Sequence, residues 1–148
     1  MENFHFLING TWQGDRNGTG HIRSESGINV DASVPKEFDG PGTGVSPEDL
    51  LISSSNNCYM ITLAAMLSNR KIVLEKLEVT SDGVVERVDG KLNFKQIIHR
   101  PVMYVSRDAD VTSDKLKEIA IRAEKACFIS NTLRCSIEFS VEPEVVTK

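Results

Sequence analysis

Cysteine is scarce in this chain: three residues among 148, at positions 58, 127 and 135, with no CxxC and no regular spacing. So few thiols exclude a disulfide scaffold and leave catalytic or simply buried cysteines. His5, His21 and His99 stand at no ligand spacing to one another or to a cysteine, so a zinc site is not expected, and no cofactor motif is present. Clustered positive charge is missing too. The 17 Lys and Arg are scattered against 21 Asp and Glu, a net charge of −4, which argues against a nucleic-acid partner. Met1 to Phe6 contain Glu2 and lack a long apolar run, so neither a signal peptide nor a membrane segment is expected, and the compartment is read as the cytosol.

What is present suffices for one domain. A length of 148 residues at 40% hydrophobic content can bury a real core, so 1–148 is read as a single domain, free to associate with a second copy. No linker or repeat interrupts it. Residues 4–13 alternate partly and end near Trp12, Gly14 to Gly18 form a turn, and two further strands follow near His21–Glu25 and Ile28–Val34. Pro35 to Ser46, with Pro41, Gly40, Gly42 and Gly44, is a loop that can bring backbone close to a site. Val73–Val88 and Leu92–Val105 read as long strands joined through Asp89-Gly90, with Pro101 marking a bulge or an edge. A last strand is expected over Ser136–Val141.

Two helices carry the chemistry. The first starts at Ser46 as N-cap, with Pro47 at the first helical position and Glu48 and Asp49 in the first turn, where the dipole favours anions. It is apolar nearly all round, which predicts a central buried helix. Ser53 to Asn57 break that pattern; five polar residues turn through more than 360°, so some face inward and need hydrogen-bond partners or a wet cavity. Cys58 follows directly. The second helix has a stripe at Leu116, Ile119, Ala120, Ala123, Ala126 and Cys127, capped from Thr112 to Asp114, so Cys127 points inward, toward the first helix. A thiol among polar groups and a second thiol where an amphipathic helix ends suit redox chemistry. Cys135, at the start of the last strand, reads as a small packing residue.

The glycine-rich loop into Ser46-Pro47-Glu48-Asp49-Leu50-Leu51, the cysteine ten residues after Glu48, and the late Cys127-x-x-Ser130 resemble the OsmC/Ohr peroxidases over nearly the whole chain. Trp12-Gln13-Gly14 with Ser24-Glu25-Ser26-Gly27 is similar to the OsmC branch, whereas Gly14 to Gly18, Pro35-Lys36-Glu37 and Cys127 to Arg134 are similar to the Ohr branch. The resemblance implies an α+β, OsmC-like fold: an intertwined homodimer with central buried helices packed against antiparallel sheets and active sites at the interface. It implies thiol-dependent reduction of hydroperoxides in oxidative-stress defence, without metal or cofactor and with an external dithiol, lipoyl-type, as reductant. By position, Cys58 is the peroxide-attacking thiol, Cys127 the resolving thiol and Glu48 the carboxylate that holds a catalytic arginine. Arg16 falls where the Ohr branch keeps that arginine; Lys36 is the fallback cation, near where the OsmC branch keeps its own. Phe128 replaces the family's usual proline after the resolving cysteine.

The chemistry explains these residue types. Only a thiolate attacks a peroxide oxygen, and a thiol of ordinary pKa is roughly 3% ionised at pH 7. Cys58 lies about three turns into its helix, beyond the reach of the dipole, so a cation has to supply the shift. Ten residues of straight helix separate Glu48 from Cys58 by about 15 Å, too far for one arginine. Either the helix bends at Ser53–Asn57 or the two residues of one working site come from different chains; the second option predicts an obligate homodimer. Two rival functions fit the same residues: a redox sensor or binder of a small apolar ligand without turnover, and a structural dimer with idle thiols.

Overall fold

The architecture follows from how the hydrophobic periods change along the chain. The structure is a computed structural model and describes residues 1–148. It divides into two compact units, Met1–Leu50 and Leu51–Lys148.

In the first unit β1 (Asn9–Gln13), β2 (Thr19–Arg23) and β3 (Asn29–Ala32) form an antiparallel sheet in the order β1-β2-β3. The strand expected over 4–13 is thus confined to its second half, and residues 1–8 carry no regular element. Gly20 pairs with Trp12, whose ring lies 2.8 Å from where a Cβ would stand, so the glycine makes room for the chain's one tryptophan. The Pro35–Ser46 segment is irregular apart from one 3-10 turn at Lys36–Phe38 and a parallel bridge from Val45 to Ala32.

The second unit is built round one long hairpin and two helices. Helix α1 (Pro47–Asn69) begins as expected: Ser46 Oγ accepts from the Asp49 amide at 3.1 Å, and the Asp49 carboxylate accepts from the Ser46 amide at 2.9 Å, a reciprocal cap. It runs unbroken through Ser53–Asn57 to Asn69. The helix is not buried all round. Only Ser55, Tyr59, Leu63 and Leu67 are fully inside, a single i, i+4 stripe, while Ile61 on another face is 62% exposed. The physical reason is number: one chain has too few elements to surround an apolar helix. Its length and hydropathy would also suit a membrane span, although only 22% of its most apolar window is buried. Its inward polar residues are bonded to the sheet, as described below.

Strands β4 (Lys76–Val88) and β5 (Lys91–Val105) pair antiparallel through Asp89-Gly90, both at positive φ (49° and 77°), the backbone that a tight hairpin of this twist requires. The bulge lies at Val84/Val85, not at Pro101. Pro101 is instead buried within β5, between the stretches that pair with β6 (Glu138–Val141) and β7 (Glu144–Thr147). The His99 carbonyl accepts from Glu142 on that side, and residue 101 faces the same way, so the missing N–H falls in a gap between two short strands. Strands β6 and β7 run parallel to β5, which the crossover through α2 (Ser113–Ala126) and α3 (Phe128–Leu133) permits. The alternating inner face of β5 supplies Ile97, His99, Met103 and Val105; Met103 and Val105 join Tyr59, Leu63, Leu67, Leu116, Ile119, Ala120 and Ala123 in one core. Each fully buried aliphatic residue here contributes roughly 1.5–3 kcal/mol. Ala126, assigned to the α2 stripe from its spacing, is exposed, because the helix ends there.

Candidate functional site

Two helix positions define the site. Cys58 is half-buried on α1; Cys127 is fully buried where α2 ends, with extended backbone (φ −72°, ψ 118°) before α3 restarts the helix. The break has a local cause. The Cys127 amide donates to the Glu124 carbonyl while its own carbonyl accepts from the Asn131 amide, so the residue caps both helices. In that position its thiol donates toward Cys58, with the sulfurs 2.8 Å apart and both cysteines free. A small closing movement would bring them to bonding distance.

The electrostatics of the pair oppose ionisation. Burial pushes the Cys58 thiol up, and the neighbouring Cys127 adds to the push, whereas the Ile129 amide and the Thr62 hydroxyl pull it down less strongly. Within residues 51–148 no arginine or lysine acts on this sulfur.

Arg16, Lys36 and Glu48 lie in the first unit. Arg16, in the β1–β2 turn, donates to the backbone carbonyls of Phe38 and of Asp39, the latter at 3.4 Å. Its guanidinium is thus committed to the 3-10 turn that carries Lys36, and not to Glu48. Glu48 stands in the first turn of α1, and its Oε2 is buried without any hydrogen-bond partner. An orphaned buried carboxylate oxygen is costly and marks a place for a donor. Cys135 is corrected: it is exposed in the turn after α3, and the strand begins only at Glu138. Phe128 is 70% exposed at the start of α3.

Sequence reasoning required partners for Ser53–Asn57, and two of these residues have them. The Ser55 hydroxyl lies 3.2 Å from His99 Nε2, and His99 Nδ1 lies 2.7 Å from Ser81 Oγ. The Asn56 amide donates to Ser81 Oγ at 2.8 Å and to the Val79 carbonyl at 2.9 Å. Because Asn56 donates into Ser81, we assign the Ser81 proton to His99 Nδ1, which leaves Nε2–H to face Ser55. Burial lowers His99 to about 4, in keeping with a neutral ring, and Tyr59 stacks on it at 4.5 Å and 12°. The Tyr59 hydroxyl donates to the Ala120 carbonyl of α2 at 2.7 Å. Tyr59, Ser81 and His99 carried no signal of a role here beyond one polar side chain, His99, among apolar strand residues. Arg134 was likewise unassigned. It contacts the nearly buried Glu124 carboxylate at 2.6 Å, donates to the Glu124 carbonyl and to Asn131 Oδ1, and covers the Phe139 ring. No group of three or more His, Cys, Asp or Glu converges as a metal site would require.

Similarity to known proteins bears on the family and the fold. The model of the OsmC-like protein family matches residues 40–142, which include both site cysteines. The uncharacterized protein YmaD of Bacillus subtilis is 36% identical over 146 residues, 98% of this chain and 97% of YmaD. Among solved structures, an OsmC-like protein of unknown function from Vibrio cholerae superposes with a TM-score of 0.81 at 18% identity, over 95% of this chain and 99% of that one. An organic hydroperoxide resistance protein from Elizabethkingia anophelis gives a TM-score of 0.74 at 22% identity, over 100% of both chains. These two likenesses establish the α+β fold.

Proposed function

Since this chain belongs to the OsmC-like protein family, we propose that it is a cysteine-based peroxidase that reduces hydroperoxides, organic ones included, to alcohols in peroxide defence. The observation that carries this reading is the 2.8 Å separation of two free thiols on different helices. Cys58, as thiolate, attacks the outer peroxide oxygen; the O–O bond breaks, the alcohol leaves with a proton, and a sulfenic acid remains. Cys127 then displaces hydroxide from that sulfenic sulfur, giving a Cys58–Cys127 disulfide and water. An external dithiol, lipoyl-type, reduces the disulfide and is itself oxidised.

The weak point of the isolated thiol is its burial, so the reading includes a cation. Arg16, or else Lys36, would fill that role after release from its resting contacts, with the orphaned Glu48 oxygen as its anchor. Glu48 and Cys58 are ten residues apart on one continuous helix. This supports a homodimer in which one working site draws on both copies.

The test is consumption of a lipoyl-type dithiol on addition of an organic hydroperoxide, with hydrogen peroxide alongside. Cys58→Ser is expected to abolish turnover and Cys127→Ser to leave a sulfenic acid that a dimedone-type probe traps; the reverse pattern would exchange the two roles. The upward push on Cys58 favours one second reading, a slow thiol that serves as a redox sensor. Stoichiometric disulfide formation without turnover would establish the sensor, and no oxidation at all would leave the thiols idle.

A further inference from the structure

Within the core that packs α1 against α2, two hydrogen-bond contacts join the helices, and they arise from adjacent residues. Cys58 meets Cys127 at the end of α2, and Tyr59 meets Ala120, seven residues or about 10 Å earlier along the same helix. Apolar packing of the shared core is non-directional, whereas two directional contacts about 10 Å apart hold the helices in one relative orientation. Tyr59 is also tightly constrained. Its ring is wholly buried and stacked on His99, His99 is held by hydroxyls on both nitrogens, and Asn56 ties the same stretch of α1 to β4. The phenol therefore arrives at the Ala120 carbonyl from a fixed ring, and it arrives as a donor, because burial holds it well above its ordinary pKa.

We propose that Tyr59 is the positioning residue of the thiol pair: its hydroxyl, bonded to the Ala120 carbonyl, fixes α2 against α1 and so sets the approach of Cys127 to Cys58. The proposal deepens the peroxidase reading, and it concerns the resolving step and not the attack. The Ala120 carbonyl already lies in helix α2, so removing the phenol proton loses the tie without stranding an acceptor. The reduced protein then samples more arrangements of the two helices. Each excess arrangement has to be given up when the S–S bond forms, so the effective concentration of one thiol at the other falls.

The experiment is the thiol-disulfide equilibrium of the whole chain with glutathione. Protein dithiol and glutathione disulfide exchange to protein disulfide and two glutathiones: the Cys58–Cys127 bond forms, the glutathione disulfide breaks, and both protein thiol protons pass to glutathione. In Tyr59→Phe, which keeps the stacked ring, the effective concentration is expected to fall about three- to tenfold, the range a single hydrogen bond supports. The rate at which iodoacetamide alkylates Cys58 in a Cys127→Ser background is expected to stay within twofold. A purely structural tyrosine would lower the melting temperatures of oxidised and reduced protein alike and leave the equilibrium unmoved; an effective concentration within twofold of the parent overturns the proposal. Fluorotyrosine at position 59, in a Tyr104→Phe background, tests it without deleting a group, since a stronger donor on the same frame should shift the equilibrium toward the disulfide. A Tyr59-dependent disulfide without peroxide turnover would sink the peroxidase reading alone. A disulfide indifferent to Tyr59 in a working peroxidase would sink this inference alone.

Discussion

Gly83 shows how much one atom matters beside α1. A Cβ there would stand 2.4 Å from Ile52 Cδ1, 2.7 Å from Cγ1 and 3.0 Å from Phe94 Cε1, and the strand pairing shifts register one residue further on, between Val84 and Val85. Gly83→Ala should therefore destabilise the protein by about 1–3 kcal/mol in urea unfolding, as overpacking does, unless Ile52 finds another rotamer; an unchanged midpoint would show that it does. His99 offers a pH test. Its ring titrates at about 4 when folded and near 6.5 when unfolded, so the unfolded chain binds more protons between those values. The stability that neutral His99 contributes is present above about pH 6.5 and is lost as pH falls toward 4, in all roughly 3 kcal/mol for an interval of this width. His99→Gln should flatten that part of the stability profile; a profile equally steep in the variant would assign the slope to carboxylates. At this scale the sequence was legible where a residue is rare or its surroundings are local. The two site cysteines stood out because thiols are few, and the inward need of Ser53–Asn57 followed from helix geometry. Tyr59 and His99 could not be placed because their partners lie 61 and 44 residues away, and nothing in a one-dimensional period encodes a hydroxyl meeting a distant carbonyl.

Elements with end signals were the most readable. The Ser46 cap, the Thr112 cap, whose hydroxyl accepts from the Lys115 amide, and the Asp89-Gly90 turn each rest on chemistry within four residues, and all three stand where the composition puts them. Helix α3 and strand β7 were missed because a six-residue helix and a four-residue strand fall below the length at which periodicity can be counted. Placing Cys135 in a strand failed for the same reason: α3 takes up residues that would otherwise extend toward it. The α2–α3 break is tied together by side chains. Arg134 joins the Glu124 carbonyl and carboxylate to Asn131, and Asn131 donates back to the Lys125 carbonyl, so a guanidinium bridges the two helix ends that flank Cys127. Arg134→Met should cost about 1–3 kcal/mol, less than a fully buried pair because the arginine is partly exposed, and it should leave Glu124 as an uncompensated buried carboxylate. Adding Glu124→Gln should recover most of the loss. A double variant no more stable than Arg134→Met, measured by urea unfolding, would mean that the carbonyl and ring contacts of Arg134 matter more than its charge.

At the scale of the whole molecule, the apolar surface of α1 is larger than its own chain covers. The inner stripe Ser55, Tyr59, Leu63, Leu67 accounts for one face; Ile61, Ala64 and Ala65 form a second at i, i+3, i+4 and remain exposed. A helix apolar on two faces but packed on one calls for a second body. The orphaned Glu48 oxygen calls for a donor in the same sense. A second copy of the chain would answer both demands; the spacing of Glu48 and Cys58 pointed to a homodimer in the sequence, and the uncovered apolar face of α1 adds a separate reason for it. The prediction is that the protein sediments as a dimer at micromolar concentration and that Ile61→Asp, which puts a charge on the uncovered face, weakens the association by at least tenfold. If the working site draws on both copies, peroxide turnover in that variant should fall with dilution in step with the dimer fraction, while the Cys58–Cys127 disulfide, formed within one chain, should still appear with glutathione disulfide. Turnover that persists unchanged in a monomeric Ile61→Asp protein would mean that one chain supplies its own cation to Cys58, and the 15 Å of helix between Glu48 and Cys58 would then require Arg16 or Lys36 to reach the sulfur without Glu48 as its anchor.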